Sequence, residues 1–295
     1  MKPVTGLCAA LLSFLLSSVA VAQAPKVYSL TVEPTYPPTQ AQQVYKPLLD
    51  YLAKATGQRF ALKVSGNYHI YWRDLRANTP TDFTFEEAHF ADYRADRLGF
   101  TPLVRTIEPT RYNLLASDAM APGGVTGLIG HRVVCMPAPS LGYLLLSELY
   151  KNPIAQPDVL SVAANWKDGV EMTFSDETDA AMVPNFVASL YPNLTVVYES
   201  REFPGRALSA APTVPANVRQ AVTNAMLKLH LDNSLNDVIT ELGTAQFVPA
   251  TRAEYLGNER LLRAVFGYVA RPGAAAAAPS PAAAPAPAPK PPVKK

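Results

Sequence analysis

Glu86, Glu87 and His89 are the side chains of this sequence whose types and spacing could do chemistry. They follow a short strand-like segment, 82–85, so they would lie at the carboxyl end of a strand, where α/β sheets place their ligands. Two carboxylates and an imidazole can exchange protons with a substrate, or hold a cationic or hydrogen-bond-donating group. A solvated acidic turn is the alternative interpretation.

A second candidate turn holds Ser140, Leu141, Gly142 and Tyr143, directly after a proline. Ser140 can cap the apolar helix predicted over 141–151, and the free N–H groups of the first helical turn would favour an anion. An ordinary helix cap without a ligand is the alternative for this turn.

Tyr68 and Asp179 complete the set of candidate binding residues. Tyr68 follows the second predicted strand. Asp179 is predicted to end a strand in the second half of the chain and to face the same binding site as the two turns. An ordinary surface or capping acid is the alternative for Asp179. Trp72 and Phe90 are predicted to be core residues on helices, with a place in the wall of the site as the alternative.

The motifs of nucleophilic or metal-assisted catalysis are missing from the sequence. Its four histidines are scattered, and it has no Ser nucleophile elbow or Cys-His signature. Cys135 lies in an apolar run typical of a buried strand. The glycines between 123 and 130 lack the G-x-G-x-x-G spacing of a nucleotide loop. We therefore expect a protein without catalysis, cofactor or metal. A periplasmic enzyme that uses Glu86, Glu87 and His89 is the less favoured alternative.

Strand-like and helix-like segments alternate from residue 26 to residue 271, which predicts an α/β protein with mostly parallel sheets flanked by helices. The expected strands lie at 27–32, 60–64, 82–85, 103–107, 132–136, 170–174 and 194–198. The expected helices begin at a Thr39 cap, cover 68–76, 88–98 and 141–151, and resume after Pro215.

The order of these segments predicts two lobes. Lobe 1 is expected to comprise residues 25–118 and 200–271, and lobe 2 residues 119–199. Because the chain crosses twice between the lobes, the crossings would form a hinge, and the cleft between the lobes is the expected ligand site. This prediction requires the Glu86 turn and the Ser140 turn to face each other across the cleft.

The two ends of the chain differ from its body. Residues 1–24 combine a basic Lys2, an apolar run and a small-x-small cleavage site, which is typical of a secretory signal peptide and predicts a periplasmic protein. Residues 272–295 are mostly Ala and Pro and end in lysines, which predicts a disordered tail that either solubilises the protein or contacts envelope surfaces.

The charge of the chain argues against nucleic acid as a partner. The sequence has 26 Lys and Arg against 24 Asp and Glu. Without Lys2 and the three tail lysines, the 22 remaining basic residues leave a body charge near −2, and they form no basic patch.

Several stretches of the sequence resemble the phosphate/phosphite/phosphonate-type substrate-binding proteins of ABC transporters, which have the type 2 periplasmic binding fold. The resemblance covers most of residues 27–230, and the stretches that carry it are 45–52, 82–85 with 88–94, 128–134 and 178–181. It implies capture of a small molecule by the loop and helix start after Pro139. The expected partner is an ABC permease or a membrane sensor, and the protein is expected to be a monomer. The resemblance also implies that Tyr68 lines the pocket.

The sequence departs from this family at both candidate turns. Relatives have a hydroxyl-rich segment at 140–143 and often a Gly-Pro turn where this chain has Glu86 and Glu87. Two carboxylates beside a bound dianion would repel it by about 1 kcal/mol per charge pair at 4 Å in water, and by about 4 kcal/mol at an effective dielectric constant of 20. The expected ligand is therefore small and polar, phosphonate-like or zwitterionic, with a cationic or hydrogen-donating group near these carboxylates. A ligand sensor coupled to a membrane receptor, or an envelope scaffold, is the alternative function.

Overall fold

The computed structural model describes residues 26–270 as two α/β lobes, each built on one mixed sheet. The segments expected to be a signal peptide and a tail, 1–24 and 272–295, lie outside the described residues. The strands are β1 (Val27–Val32), β2 (Arg59–Val64), β3 (Phe83–Glu86), β4 (Thr101–Thr106), β5 (Tyr112–Ala116), β6 (Arg132–Val134), β7 (Asp158–Leu160), β8 (Ala180–Pro184), β9 (Thr195–Glu199), β10 (Ala207–Ala210) and β11 (Phe247–Pro249).

Helices flank both sheets. They are α1 (Pro38–Thr56), α2 (Tyr68–Arg76), α3 (Ala88–Arg97), α4 (Gly124–Gly127), α5 (Leu141–Leu149), α6 (Trp166–Phe174), α7 (Asn185–Ala188), α8 (Ala216–Lys228), α9 (Asn236–Glu241) and α10 (Arg252–Tyr255). Short 3-10 turns cover Ala121–Gly123, Leu229–Leu231, Asn233–Leu235 and Asn258–Ala264. Within residues 26–270, no helix combines the length and the apolarity needed to cross a membrane.

The sheet of lobe 1 has the strand order β11-β4-β10-β3-β1-β2. Strands β2, β1 and β3 are parallel, whereas β10 runs antiparallel between β3 and β4. Leu48 and Leu52 of α1 and Val222 and Met226 of α8 are buried in one apolar cluster with this sheet, because their spacing gives each helix one apolar face.

The sheet of lobe 2 has the order β7-β6-β8-β5-β9. Strands β7, β6 and β8 are parallel, and β5 runs antiparallel beside β8. Both sheets are therefore mixed, and not mostly parallel as the sequence pattern predicted. The reason is topological: β5 and β10 are the first strands after the two crossings, and each enters its new sheet from the hinge side.

The two crossings lie between β4 and β5 and between β9 and β10. They are tied together by a bridge in which Thr110 and Phe203 exchange backbone hydrogen bonds of 3.0 and 2.9 Å. Because β5 belongs to the second sheet, the first crossing precedes Tyr112, and the boundary predicted at residue 118 is wrong. The apolar run of β5 looks in sequence like one more strand of lobe 1.

Two local predictions are also corrected. The segment 170–174, predicted to be a strand, is the second half of helix α6, which begins where the Asn165 side chain accepts a hydrogen bond from the Asp168 N–H. Thr39 does not cap α1, because this helix begins one residue earlier, at Pro38, and has no side-chain cap. Helix α2 has the bounds predicted for it, and the Asn67 side chain caps it.

Candidate functional site

The two turns singled out in the sequence meet between the lobes. His89 Nε2 lies 3.0 Å from the carbonyl oxygen of Pro139, and Tyr112 of lobe 2 donates a 2.7 Å hydrogen bond to Glu87 Oε1. Since a carbonyl oxygen only accepts, His89 carries its proton on Nε2. Glu87, His89, Tyr112 and Ser140 are each at most 1% exposed, so the lobes are closed on each other at this point.

Glu87 is the residue that reaches furthest across the interface. Burial raises the pKa of its carboxyl to about 7, although the Tyr112 hydroxyl, the Arg206 charge and the Leu141 N–H all act to lower it. Its Oε2 atom has no hydrogen-bond partner among the described residues. The Glu87 carboxyl therefore titrates near neutral pH and retains one unused oxygen.

Glu33 faces Glu87 from the end of β1. Its carboxylate accepts hydrogen bonds from the Tyr68 hydroxyl, at 3.0 Å, and from the backbone N–H of Glu87. Burial and the neighbouring Glu87 carboxylate raise the pKa of Glu33 well above its ordinary value. Glu33 is not among the predicted site residues, although its position directly after a strand is a signal for a ligand-facing side chain.

Glu86 has a different role from its neighbour. Arg94 Nε lies 2.7 and 2.9 Å from its two carboxylate oxygens, and the Tyr71 hydroxyl donates to Oε1. The side chains of Glu86 and Arg94 are 0% and 4% exposed. Glu86 thus forms a buried ion pair inside lobe 1 and leaves Glu87 as the acidic side chain of this turn that contacts lobe 2.

The turn that begins α5 is sealed by its own contacts. The Ser140 hydroxyl donates to the Met136 carbonyl oxygen at 2.8 Å and accepts from the Tyr143 N–H at 3.3 Å, so the predicted cap is confirmed. Gly142 lies against the ring of Tyr112, and a Cβ atom added there would be 2.8 Å from Tyr112 Cε1. Glycine is therefore required for this close approach.

Two predicted site residues lie elsewhere. Tyr143 lines a small surface pocket on lobe 2 with Tyr150. Asp179 accepts the Arg132 N–H at 2.8 Å and pairs with its guanidinium at 3.3 Å. Strands β6 and β8 are parallel; Arg132 begins β6, and Asp179 directly precedes β8. Asp179 therefore lies at the amino ends of these strands, whereas Pro139 follows the carboxyl end of β6. The prediction that Asp179 faces the cleft is corrected, because this residue precedes a strand where the sequence suggested a strand end.

Arg206, on the second crossing, was also missed from the sequence. It is 7% exposed, and no carboxylate lies within ion-pair distance of it in the described part of the chain. Its guanidinium donates to the Leu242 carbonyl oxygen and lies 4.8 Å from the ring centroid of Phe85 and 5.1 Å from that of Phe186. The signal that could have identified it is a single basic residue directly before a fully buried strand.

A pocket of about 310 Å³ opens beside Arg206 at the hinge. It is lined from both lobes, by residues that include Thr110, Asn185, Phe186, Arg206, Gly243 and Thr244. Its position shows that the interface between the lobes is closed at Glu87 but still open towards the hinge.

Further contacts hold the lobes together around this pocket. Lys167 Nζ of α6 lies 2.9 Å from Glu241 Oε2 of α9. Trp166 is 5% exposed, contacts the Phe186 ring edge-on at a centroid distance of 5.5 Å, and lies 6.0 Å from the Arg206 guanidinium. In lobe 1 the other indole, Trp72, donates to the Phe266 carbonyl oxygen at 2.9 Å.

The remaining reactive groups offer little chemistry. Among residues 26–270, no three His, Cys, Asp or Glu side chains are grouped to hold a metal ion. Burial lowers the pKa of His89 to about 3 and raises that of the Cys135 thiol to about 12. Near neutral pH, both groups are therefore neutral.

Comparisons with known proteins identify relatives of this arrangement. Residues 30–255 match the family described as the periplasmic substrate-binding protein of phosphonate ABC transporters. No curated protein matches the sequence.

Solved structures share the two-lobe fold at low sequence identity. PhnD1 from Prochlorococcus marinus, in complex with methylphosphonate, has 12% identity and a TM-score of 0.67, with 81% of this chain and 98% of that one covered. A binding protein component of an ABC phosphonate transporter from Pseudomonas aeruginosa has 13% identity and a TM-score of 0.66, covering 80% and 85%. A protein from Xanthomonas citri bound to ATP has 16% identity and a TM-score of 0.60, covering 80% and 96%.

Proposed function

The chain belongs to the family of periplasmic substrate-binding proteins of phosphonate ABC transporters, and on that premise we propose that it captures a small polar solute between the Glu87 turn and helix α5. Solute binding is the function of this family, which acts in the periplasm and delivers its solutes to a permease. The described structure represents the closed conformation of such a protein. We further propose that the mature chain is exported and monomeric.

The hydrogen bond between Tyr112 and Glu87 is the observation that carries this proposal. It joins side chains at the ends of strands from two different lobes, at the position where the family resemblance implies ligand capture. Separation of the lobes about the bridged crossings would expose Glu33, Tyr68 and Glu87 on one side and Tyr112 on the other. A solute that binds both sides stabilises closure by its differential affinity for the closed state.

Transport is favoured over catalysis by the state of His89. Its Nε2–H is committed to Pro139 and its pKa is lowered to about 3, so it offers no exchangeable proton near neutral pH. We therefore propose that the protein binds its solute without converting it.

A thermal-shift screen tests the proposal. Purified protein is heated with methylphosphonate, inorganic phosphate, amino acids and polyamines, because a solute that binds only the folded state at 100 times its Kd stabilises that state by about 2.7 kcal/mol. The shift should disappear in Glu87→Ala and weaken in Tyr68→Phe, and persist in Glu177→Gln, which changes an exposed acid of lobe 2. A shift that survives in Glu87→Ala would place the binding site elsewhere.

A further inference from the structure

The first turn of α5 lies beside the Glu87 carboxyl of the other lobe. Free N–H groups and the helix dipole make a helix N-terminus favourable for an anion. Here the Leu141 N–H, the first of the helix, stabilises the charged form of Glu87 from the other lobe. The Ser140 hydroxyl is bound to Met136. An anionic ligand at this helix start would therefore lie beside a carboxyl group of the protein itself.

The same place carries more acid than base. The Glu33 carboxylate accepts the backbone N–H of Glu87, and the Glu87 charge raises the pKa of Glu33, while Glu86 is neutralised by Arg94. Arg206 is the only basic residue among the groups that set the Glu87 pKa, and it makes no ion pair with either acid. Two ionised carboxylates would therefore leave an uncompensated negative charge in a buried site, which is unfavourable. A proton on one of the two carboxyls relieves this charge.

Aromatic residues complete the surroundings of the pair. The titratable and charged groups that act on it from the packed elements are Tyr45 of α1, Tyr68 and Tyr71 of α2, Glu86 of β3, Tyr112 of β5 and Arg206 of the second crossing. His89 on α3 is neutral. Carboxylates that already accept tyrosine hydroxyls, at Glu33 and Glu87, can recognise an ammonium group through charge-assisted hydrogen bonds.

We infer that the cognate solute is a small organic cation whose ammonium group binds the unused oxygen of Glu87 beside Glu33, and that Glu87 excludes phosphonate-like anions from α5. This inference rests on the proposed solute-binding function and specifies its ligand class. Binding exchanges one positive charge for another, so a proton is released to solvent when the cation enters.

The exchange predicts a characteristic pH dependence. Below the pKa of Glu87, about 7, the cation must displace a proton, and its affinity should fall about tenfold for each unit of decreasing pH. Above that value the affinity should become independent of pH. An anionic ligand held at α5 would show the opposite trend, because protonation of Glu87 would favour it.

Calorimetry on the purified protein tests the inference. Ethanolamine, putrescine and choline are titrated against methylphosphonate and inorganic phosphate between pH 5.5 and 8, in two buffers of different ionisation enthalpy that reveal proton release. We expect at least one amine to bind with release of about one proton at pH 6. Glu87→Gln keeps the shape of the side chain and should weaken that binding at least tenfold and abolish its pH dependence. Glu177→Gln is the matched control and should leave both unchanged.

Three outcomes separate this inference from the broader function. Binding of methylphosphonate or phosphate without any amine overturns the inference and leaves solute binding intact. Amine binding that Glu87→Gln does not weaken also overturns it. If neither set binds, the inference is overturned, and the thermal-shift screen decides the proposed function independently. Circular dichroism of Glu87→Gln verifies that the variant is folded.

Discussion

The hydroxyl of Tyr112 and the carboxylate of Glu87 form a 2.7 Å hydrogen bond that joins the two lobes of this protein. Tyr112 begins the first strand of lobe 2 after the hinge, and Glu87 directly follows the third strand of lobe 1. Both are almost completely buried. The bond exists only while the lobes are closed, so its energy contributes to closure.

Removal of this hydroxyl should therefore favour the open state. For Tyr112→Phe we expect a loss of about 1–2 kcal/mol of stability, since a buried acceptor loses its donor. We also expect a larger radius of gyration in solution scattering. Tyr150→Phe is the control, because the Tyr150 hydroxyl donates to the Val125 carbonyl oxygen within lobe 2 at 2.7 Å. An equal increase in radius for both variants would contradict the role given to Tyr112.

The stability of the protein should depend on pH through Glu87. Burial raises the pKa of this carboxyl from 4.5 to about 7, so between these values the folded state binds more protons than the unfolded state. Stability from this group is thus fully present below about pH 4.5, declines as the pH rises and levels off above about 7, with a total change of about 3 kcal/mol.

Urea unfolding of the wild type and Glu87→Gln at pH 5, 6, 7 and 8 measures this effect. His89 contributes in the opposite direction below its ordinary pKa, because its folded-state pKa is lowered to about 3. Its contribution is common to both proteins and cancels in their difference. The free energy of unfolding of the wild type should therefore fall relative to that of Glu87→Gln as the pH rises from 5 to 7. A difference that does not change with pH would refute the assignment.

The buried pair of Glu86 and Arg94 should be essential for folding of lobe 1. Removing one partner, as in Arg94→Met or Glu86→Gln, leaves the other unpaired and should cost about 3–5 kcal/mol of unfolding free energy. Asp50→Asn breaks the exposed pair with Lys46 and should cost less than about 1 kcal/mol. Chemical denaturation of the three variants tests this contrast, and similar losses in all of them would contradict it.

Gly243 should control closure at the hinge. It has φ of +63°, and a Cβ atom there would lie 2.4 Å from the Phe186 ring of lobe 2. Gly243→Ala should therefore open the lobes and also strain the backbone. Gly57→Ala has a similar φ of +68° but no atom within 4 Å, so it should cost about 1 kcal/mol without opening. Solution scattering and hydrogen exchange at the interface distinguish the two, and equal exchange in both variants would sink the prediction.

The meeting of the Glu87 and Ser140 turns could be predicted from the sequence, because both follow strands whose carboxyl ends face the hinge. The sequence does not predict which of the two consecutive acids, Glu86 or Glu87, points across the interface. Successive residues of an extended segment alternate between faces, and Glu87 continues the extended backbone of β3 by one residue, so Glu86 turns into lobe 1 while Glu87 reaches lobe 2. A register error of one residue exchanges these roles, and the sequence pattern does not fix the register so closely.

The errors of the fold prediction have a similar origin. The apolar segment 170–174 is short enough to fit a strand or a helix. The residue that caps the helix, Asn165, lies outside this segment. Arg206 and Glu33 are distant in sequence from the other site residues. Only the tertiary arrangement brings their charges to Glu87, so neither could be recognised from local spacing.

The placement of the two indoles gives the molecule an intrinsic optical reporter. The sequence contains two tryptophans, Trp72 and Trp166. Trp166 is shielded by Phe186 and by Arg206 at the hinge, whereas Trp72 is held inside lobe 1 by Phe266. Lobe separation should hydrate the first indole alone and shift its emission to longer wavelength, while the second supplies a constant background. Fluorescence can thus follow opening and closing without any attached dye.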